Sequence, residues 1–242
     1  MKKRKAPAMF FTVLLAVIVA IITLFYDKGS AQAVDEVWVK SYNGPAKGDD
    51  FARAVAVDKS GNVYVTGESP GSGTYRDYAT IKYSSSGNQL WAKRYNGPGN
   101  RDDYAVALAA DGSGNVYVTG YSKAPGTGYD YATIKYNSSG KQLWVRRYNG
   151  PGNGDDFALA VAVDSSGNVY VTGESPGLGT YRDFATIKYS SSGNQIWVKR
   201  YNGPGNGDDG AEAIAVDSAG HVCVSGYSKG SGTGYDYTVI KY

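Results

Sequence analysis

The sequence predicts an all-β chain built from four copies of one four-stranded unit, and three observations lead there. Trp38, Trp91, Trp144 and Trp197 recur at a constant spacing of 53 residues, the mark of a structural repeat without insertions. Short runs rich in Val, Tyr, Ile and Thr fill each interval, and none has the length or period of a helix. Between the runs lie Gly, Asn, Asp, Ser and Pro in the combinations that make turns.

The second unit shows the elements in order. Strand a is Ala105–Ala110, strand b Asn115–Thr119, strand c Asp130–Tyr136 and strand d Gln142–Tyr148, separated by Asp111–Asn115, Asn137–Gly140 and Asn149–Gly152. Strand a is rich in alanine in every copy, as in residues 52–57, 158–163 and 211–216, and small side chains suit the crowded centre of a ring. Strand d sets Trp91, Lys93 and Tyr95 on one face against Ala92 and Arg94 on the other, a composition suited to the rim. Four short strands per unit, radially repeated, describe the blade of a β-propeller. Units starting at 38 and 144 differ at 9 of 53 positions, whereas units starting at 38 and 91 differ at 18, so the chain grew by duplication of a two-unit block. The phase of the repeat adds an expectation about closure. Val37–Tyr42 reads as a strand d and Tyr237–Tyr242 as a strand c. The N-terminal strand is expected to pair with the C-terminal blade, closing a ring of four 53-residue blades with no exposed edge. The alternatives are a strand-swapped dimer or an eight-bladed ring of two chains.

Residues 1–33 form a separate segment: Lys2-Lys3-Arg4-Lys5, an apolar run from Ala8 to Tyr26, then Ala31-Gln32-Ala33. This is the layout of a secretory signal peptide cleaved after Ala33; the rival is an uncleaved membrane anchor, since the run approaches a bilayer-spanning length. Either way the propeller domain, residues 34–242, is expected to be secreted, at the cell surface or in the periplasm. The leader also holds five basic residues and one acid, leaving 20 basic against 21 acidic residues after it. That balance gives no support to nucleic-acid binding, and a membrane is engaged only through the N-terminal segment if it is uncleaved. One Cys and one His exclude a disulfide framework, a cysteine-rich metal centre and a multi-histidine site.

Three segments of the repeat, Ala56–Gly67 (AVDKSGNVYVTG), Asp77–Tyr83 (DYATIKY) and Gly87–Trp91 (GNQLW), resemble the seven-bladed β-propeller repeat (SBBP) family, which is related to NHL-type propellers. The resemblance implies the propeller fold and export from a bacterial or archaeal cell, mostly without an assigned activity. The chain departs from the family's name in carrying four units.

Two classes of connection divide the blade ends. The a–b and c–d turns are tight, as in Asp58–Asn62 and Ser84–Gly87, whereas the d–a and b–c connections, Tyr95–Asp103 and Gly67–Asp77, are long; long loops on a rigid scaffold carry binding sites. On this long-loop face an Asp pair precedes each strand a: Asp49 and Asp50, Asp102 and Asp103, Asp155 and Asp156, Asp208 and Asp209. They are candidates for the ligand-binding face, with calcium as a metal alternative, against the simpler reading that each Asp binds backbone N–H groups of its own loop. Tyr75, Arg76, Tyr129, Tyr181, Arg182 and Tyr235 join them as groups able to stack on a sugar or anchor a protein. The turn Asp58–Asn62 faintly resembles a calcium loop but lacks its bidentate Glu, and reads as a hairpin turn. His221 and Cys223 replace Asn and Tyr of the other units, and two alternate residues of one strand stand about 7 Å apart, too far for a nucleophile–base pair. No cofactor is expected. The sequence therefore reads as a non-enzymatic binding scaffold for a protein or glycan partner, with a metal-dependent lyase or hydrolase, or a purely structural strand-exchanging module, as alternatives.

Overall fold

The computed structural model describes residues 35–242; the expected leader lies outside them. Lys40–Tyr242 form one compact unit, and residues 35–39 belong to a separate one.

Fifteen strands lie among the described residues. The first blade holds β1 (Phe51–Val57), β2 (Val63–Pro70), β3 (Arg76–Tyr83) and β4 (Gln89–Tyr95), and the second β5 (Asp103–Ala110), β6 (Val116–Ala124), β7 (Gly128–Tyr136) and β8 (Gln142–Tyr148). The third holds β9 (Phe157–Val163), β10 (Val169–Pro176), β11 (Arg182–Tyr189) and β12 (Gln195–Tyr201), and the fourth β13 (Gly210–Val216), β14 (Val222–Lys229) and β15 (Tyr235–Lys241). Three sheets are four-stranded antiparallel meanders and the fourth has three strands. Val37–Tyr42, expected as a strand d, carries no strand, because a strand requires a ladder partner and none is hydrogen-bonded to β15 on that edge.

Strands b and c run further than expected. Their ladder continues through Ser122↔Asp130 to Ala124↔Gly128, so the long b–c connection is an extended hairpin ending in a short turn. The extension is clamped by an arginine from strand d: Arg147 donates to the Ser122 hydroxyl and carbonyl at 2.6 and 2.7 Å and to Asp130 at 2.9 Å. Arg94 and Arg200 repeat this on Ser69 and Asp77, and on Ser175 and Asp183. Strand a carries a bulge in every blade, in the second between Ala105 and Ala107. There strand b places Gly120, whose missing Cβ would sit 1.9 Å from the Tyr104 carbonyl oxygen.

The core lies between sheets. Tyr64 and Tyr78 of the first blade pack with Ala105, Val116, Val118 and Ile134 of the second. Tyr117, Tyr131 and Trp144 do the same on Ala158, Val169, Val171 and Ile187, as do Tyr170 and Phe184 on Ala211, Val222 and Val224. Hydrogen bonds recur in the same phase: the Tyr78 and Tyr131 hydroxyls donate to the carbonyls of Ala132 and Ala185 at 3.1 and 3.2 Å. Trp91 and Trp144 donate to Ser138 and Ser191, each at 3.2 Å. The alanine-rich strands pack in series, β1 on β5, β5 on β9 and β9 on β13, as their small side chains predicted. No comparable packing joins β13 to β1.

Gly120→Ala should lower the unfolding free energy by about 3 kcal/mol or more, since its Cβ meets backbone rather than a yielding side chain. Gly126→Ala, at φ 83° with open space around it, should cost only about 1 kcal/mol. Urea unfolding of the two variants checks the order; equal losses would contradict the bulge geometry.

Candidate functional site

The Asp pairs divide their work. The second Asp of each pair clasps its own d–a loop: Asp50, Asp103, Asp156 and Asp209 accept the N–H of Gly44, Gly97, Gly150 and Gly203 at 2.9, 2.6, 2.9 and 2.6 Å. Asp209 also accepts the Lys229 N–H. The first Asp bridges blades. Asp102 accepts the N–H of Arg76 at 3.1 Å, Asp155 that of Tyr129 at 2.8 Å and Asp208 that of Arg182 at 3.2 Å, each at the start of the preceding blade's strand c. Asp49 is exposed. The second Asp thus has the loop-holding role expected of Asp in a Gly-rich turn, whereas Asp102, Asp155 and Asp208 reach the preceding blade instead of their own loop. Among the described residues no group of three or more His, Cys, Asp or Glu side chains is placed to hold a metal ion. Burial pushes Asp103 and Asp156 up to about 6, against the lowering effect of the Gly N–H and Ser hydroxyl partners.

The loop candidates separate into tips and mouth. Tyr75 and Tyr181 are exposed at hairpin tips. Nearer the alanine-rich strands, Tyr129 belongs to an aromatic cluster with Tyr104, Tyr121 and Phe157, whose ring centroids stand 4.8 to 6.1 Å apart. Arg76 lies over the Phe51 ring at 5.0 Å and 3.7 Å from the buried Glu68 carboxylate, which also accepts from Arg53. Arg182 lies over Phe157 at 4.6 Å and donates to Glu174 at 2.9 Å. Tyr227 donates its hydroxyl to the other oxygen of Glu174 at 2.9 Å and stacks edge-on against Tyr235 at 5.2 Å. Burial, then the Glu174 bond, pushes the Tyr227 phenol up to about 12. Glu174, Arg182, Asp208, Tyr227 and Tyr235 line a cavity of about 270 Å³.

The mouth thus alternates Phe–Glu–Arg in odd blades with aromatic side chains in even ones. Three of the cavity's five groups, Arg182, Asp208 and Tyr235, were among the sequence candidates. Glu174, Tyr227, Phe51, Glu68, Tyr104, Tyr121 and Phe157 were not, although the alternation of Glu68-Ser-Pro with Tyr121-Ser-Lys is written in the repeat.

The tight-turn face holds a larger cavity, about 450 Å³, lined in part by Asp111, Asn115, Lys135, Asp164, Ser166 and Ser191. Its carboxylates are engaged in hairpin turns: Asp111 accepts from the N–H of Ser113 and Asn115, the Asn115 amide and the Tyr117 hydroxyl at 2.7 to 3.0 Å. Burial would raise this carboxyl, but those donors hold it below the ordinary value. Asp58 makes the same turn, as the hairpin reading required. His221 takes the place of the turn Asn, its Nδ1 2.8 Å from Asp217, and Cys223 is an exposed free thiol.

Antiparallel blades of one sequence pattern, each docked on the next, define a β-propeller repeat protein. Three stretches, residues 37–73, 90–126 and 143–178, match the SBBP Beta-propeller repeat; the unit from Trp197 lies outside them but keeps the 53-residue period and its strands. An uncharacterized WD repeat-containing protein of Acanthamoeba polyphaga mimivirus is 33% identical over 119 residues, 42% of this chain and 8% of its own length. A protein of unknown function from Dyadobacter fermentans is similar in structure at a TM-score of 0.47 and 8% identity, over 77% of this chain and 59% of that one. The periplasmic gluconolactonase of Pseudomonas aeruginosa has a TM-score of 0.35 and 11% identity, over 78% and 71% of the two chains. Neither likeness bears on what this chain binds.

The raised carboxyls of Asp103 and Asp156 set a pH dependence. Their folded values, about 6, exceed the unfolded ones near 3.9, so the neutral form favours the fold. The contribution is full below about pH 4 and is lost as pH rises through 6. Asp103→Asn with Asp156→Asn should flatten the decline in stability between about pH 4 and 6, measured by urea midpoints; an unchanged slope would contradict it.

Proposed function

We propose that this chain is an exported, non-enzymatic propeller scaffold that binds a glycan on the long-loop face, in the cavity formed by Glu174, Arg182, Asp208, Tyr227 and Tyr235. The carrying observation is that one concave site combines half-exposed aromatic rings, two carboxylates and a guanidinium. Aromatic faces pack on the apolar faces of sugar rings while carboxylates and guanidinium fork their hydroxyls. In this reading the scaffold is exported by the leader to the cell surface or periplasm. Tyr75 and Tyr181 at the hairpin tips extend the contact toward a longer chain or a protein-borne glycan. The lyase or hydrolase alternative loses support because the Asp carboxylates hold loops.

A glycan array followed by titration calorimetry tests the site. Tyr235→Ala and Arg182→Ala should each weaken binding about tenfold or more, whereas a Tyr75→Ala, Tyr181→Ala pair should lower affinity only for longer glycans. Binding unchanged in both site variants, or no glycan bound by the unaltered chain, would overturn the proposal.

A further inference from the structure

We propose that the two ends of the blade series are joined by a second copy of this chain. The fourth blade of each copy docks on the first blade of the other, so that two chains make one ring with two equivalent closing junctions. This stands apart from the binding reading and continues the interface already present between consecutive blades.

Each junction in the structure is one set of contacts shifted by a repeat. A strand-c aromatic inserts into the next sheet, Tyr78, Tyr131 and Phe184 being 0 to 1% exposed, and an Asp of the next blade caps a backbone N–H beside it. Tyr237 holds the same position in the fourth blade and is fully exposed. Asp49 is the counterpart of Asp102, Asp155 and Asp208, and Tyr235, whose N–H is the counterpart donor, is exposed, whereas Arg76, Tyr129 and Arg182 are half-buried. On the first blade Val55 and Val57 are exposed, although their counterparts Leu108 and Ala110 pack against the preceding blade. The missing junction therefore has both halves on one chain, in complementary form.

Geometry decides which copy supplies the other half. Like contacts fix a like rotation from sheet to sheet, and after three junctions β13 has not come round to β1. Closing four blades on themselves would change the angle at all three junctions, where close-packed cores have little slack. A second copy leaves every junction as it stands, and two copies close the series with a two-fold axis.

The free edge of β15 has an occupant in the partner copy's first blade. Arg94 donates to the Tyr42 hydroxyl as Arg147 and Arg200 do to those of Tyr95 and Tyr148, so Tyr42 already holds the place of a strand-d tyrosine from a preceding blade. Carrying over the pairing Phe184↔Tyr201 and Thr186↔Lys199 sets Tyr42 opposite Tyr237 and Lys40 opposite Val239 of the partner. Ser41 then stands where the other strands have the clamping arginine.

Sedimentation equilibrium on the full chain, as its host processes it, from about 1 to 100 µM tests this. The expected result is a two-chain mass that Tyr237→Arg and Asp49→Lys each weaken tenfold or more, with unchanged strand content by circular dichroism. Asp49→Lys lies on an exposed loop and keeps the test open should Tyr237→Arg fail to fold. Lys40→Cys and Val239→Cys chains, both with Cys223→Ser, should form a disulfide-linked pair when mixed and none alone. A one-chain mass throughout, including one whose melting temperature falls with Tyr237→Arg because the chain closes on itself, would overturn the proposal, as would a dimer that neither substitution weakens.

Discussion

The insertion of one aromatic side chain from strand c into the face of the next sheet is the interaction on which the rest of this structure depends. Tyr78, Tyr131 and Phe184 each leave their own blade and are sealed under the alanines, valines and isoleucines of the following one. A four-stranded blade has no core of its own, so its apolar face is stable only when covered by a neighbour. The tyrosine hydroxyl is satisfied at the same time by the alanine carbonyl of the next strand c, which makes burial of a polar phenol affordable. Phe184 shows that the ring matters more than the hydroxyl, since it occupies the place with no donor to satisfy.

The mouth of the long-loop face follows from the same junctions. Because strands b and c extend past the sheet centre and are clamped by Arg94, Arg147 and Arg200, their tips stand on rigid hairpins. Asp102, Asp155 and Asp208 then tie the next blade's loop to the start of that hairpin. Glu174, Arg182 and Tyr227 are thereby held across a blade boundary, and their mutual hydrogen bonds fix the side chains that line the cavity. The two-unit duplication makes this chemistry alternate around the mouth, so neighbouring junctions offer different groups while sharing one backbone.

Much of the fold was legible in the sequence because it is local. A 53-residue tryptophan period, β-branched and aromatic runs, and turns such as Asp111–Asn115 located every strand to within a few residues. The extended ends of strands b and c were not legible: Gly120-Tyr-Ser-Lys-Ala124 has loop composition, and it pairs as a strand with Gly128–Ala132 while Arg147, 25 residues away, bonds Ser122. The site was legible in part. Arg182, Asp208 and Tyr235 stood out as loop residues, and the loop-holding reading of the second Asp of each pair followed from turn chemistry. Glu174 and Tyr227 were hidden because they sit inside strand-like text, and their meeting spans 53 residues and two blades. The angle between sheets, set by side-chain packing rather than by any local pattern, left no trace in the sequence.

The most direct measurement is the urea-unfolding free energy of Tyr131→Ala, which empties the junction between the second and third blades without touching any loop. If blade-to-blade insertion holds the series together, the variant should lose about 3–5 kcal/mol. A loss below about 1 kcal/mol would contradict that, and would mean that each blade is stable without its neighbour.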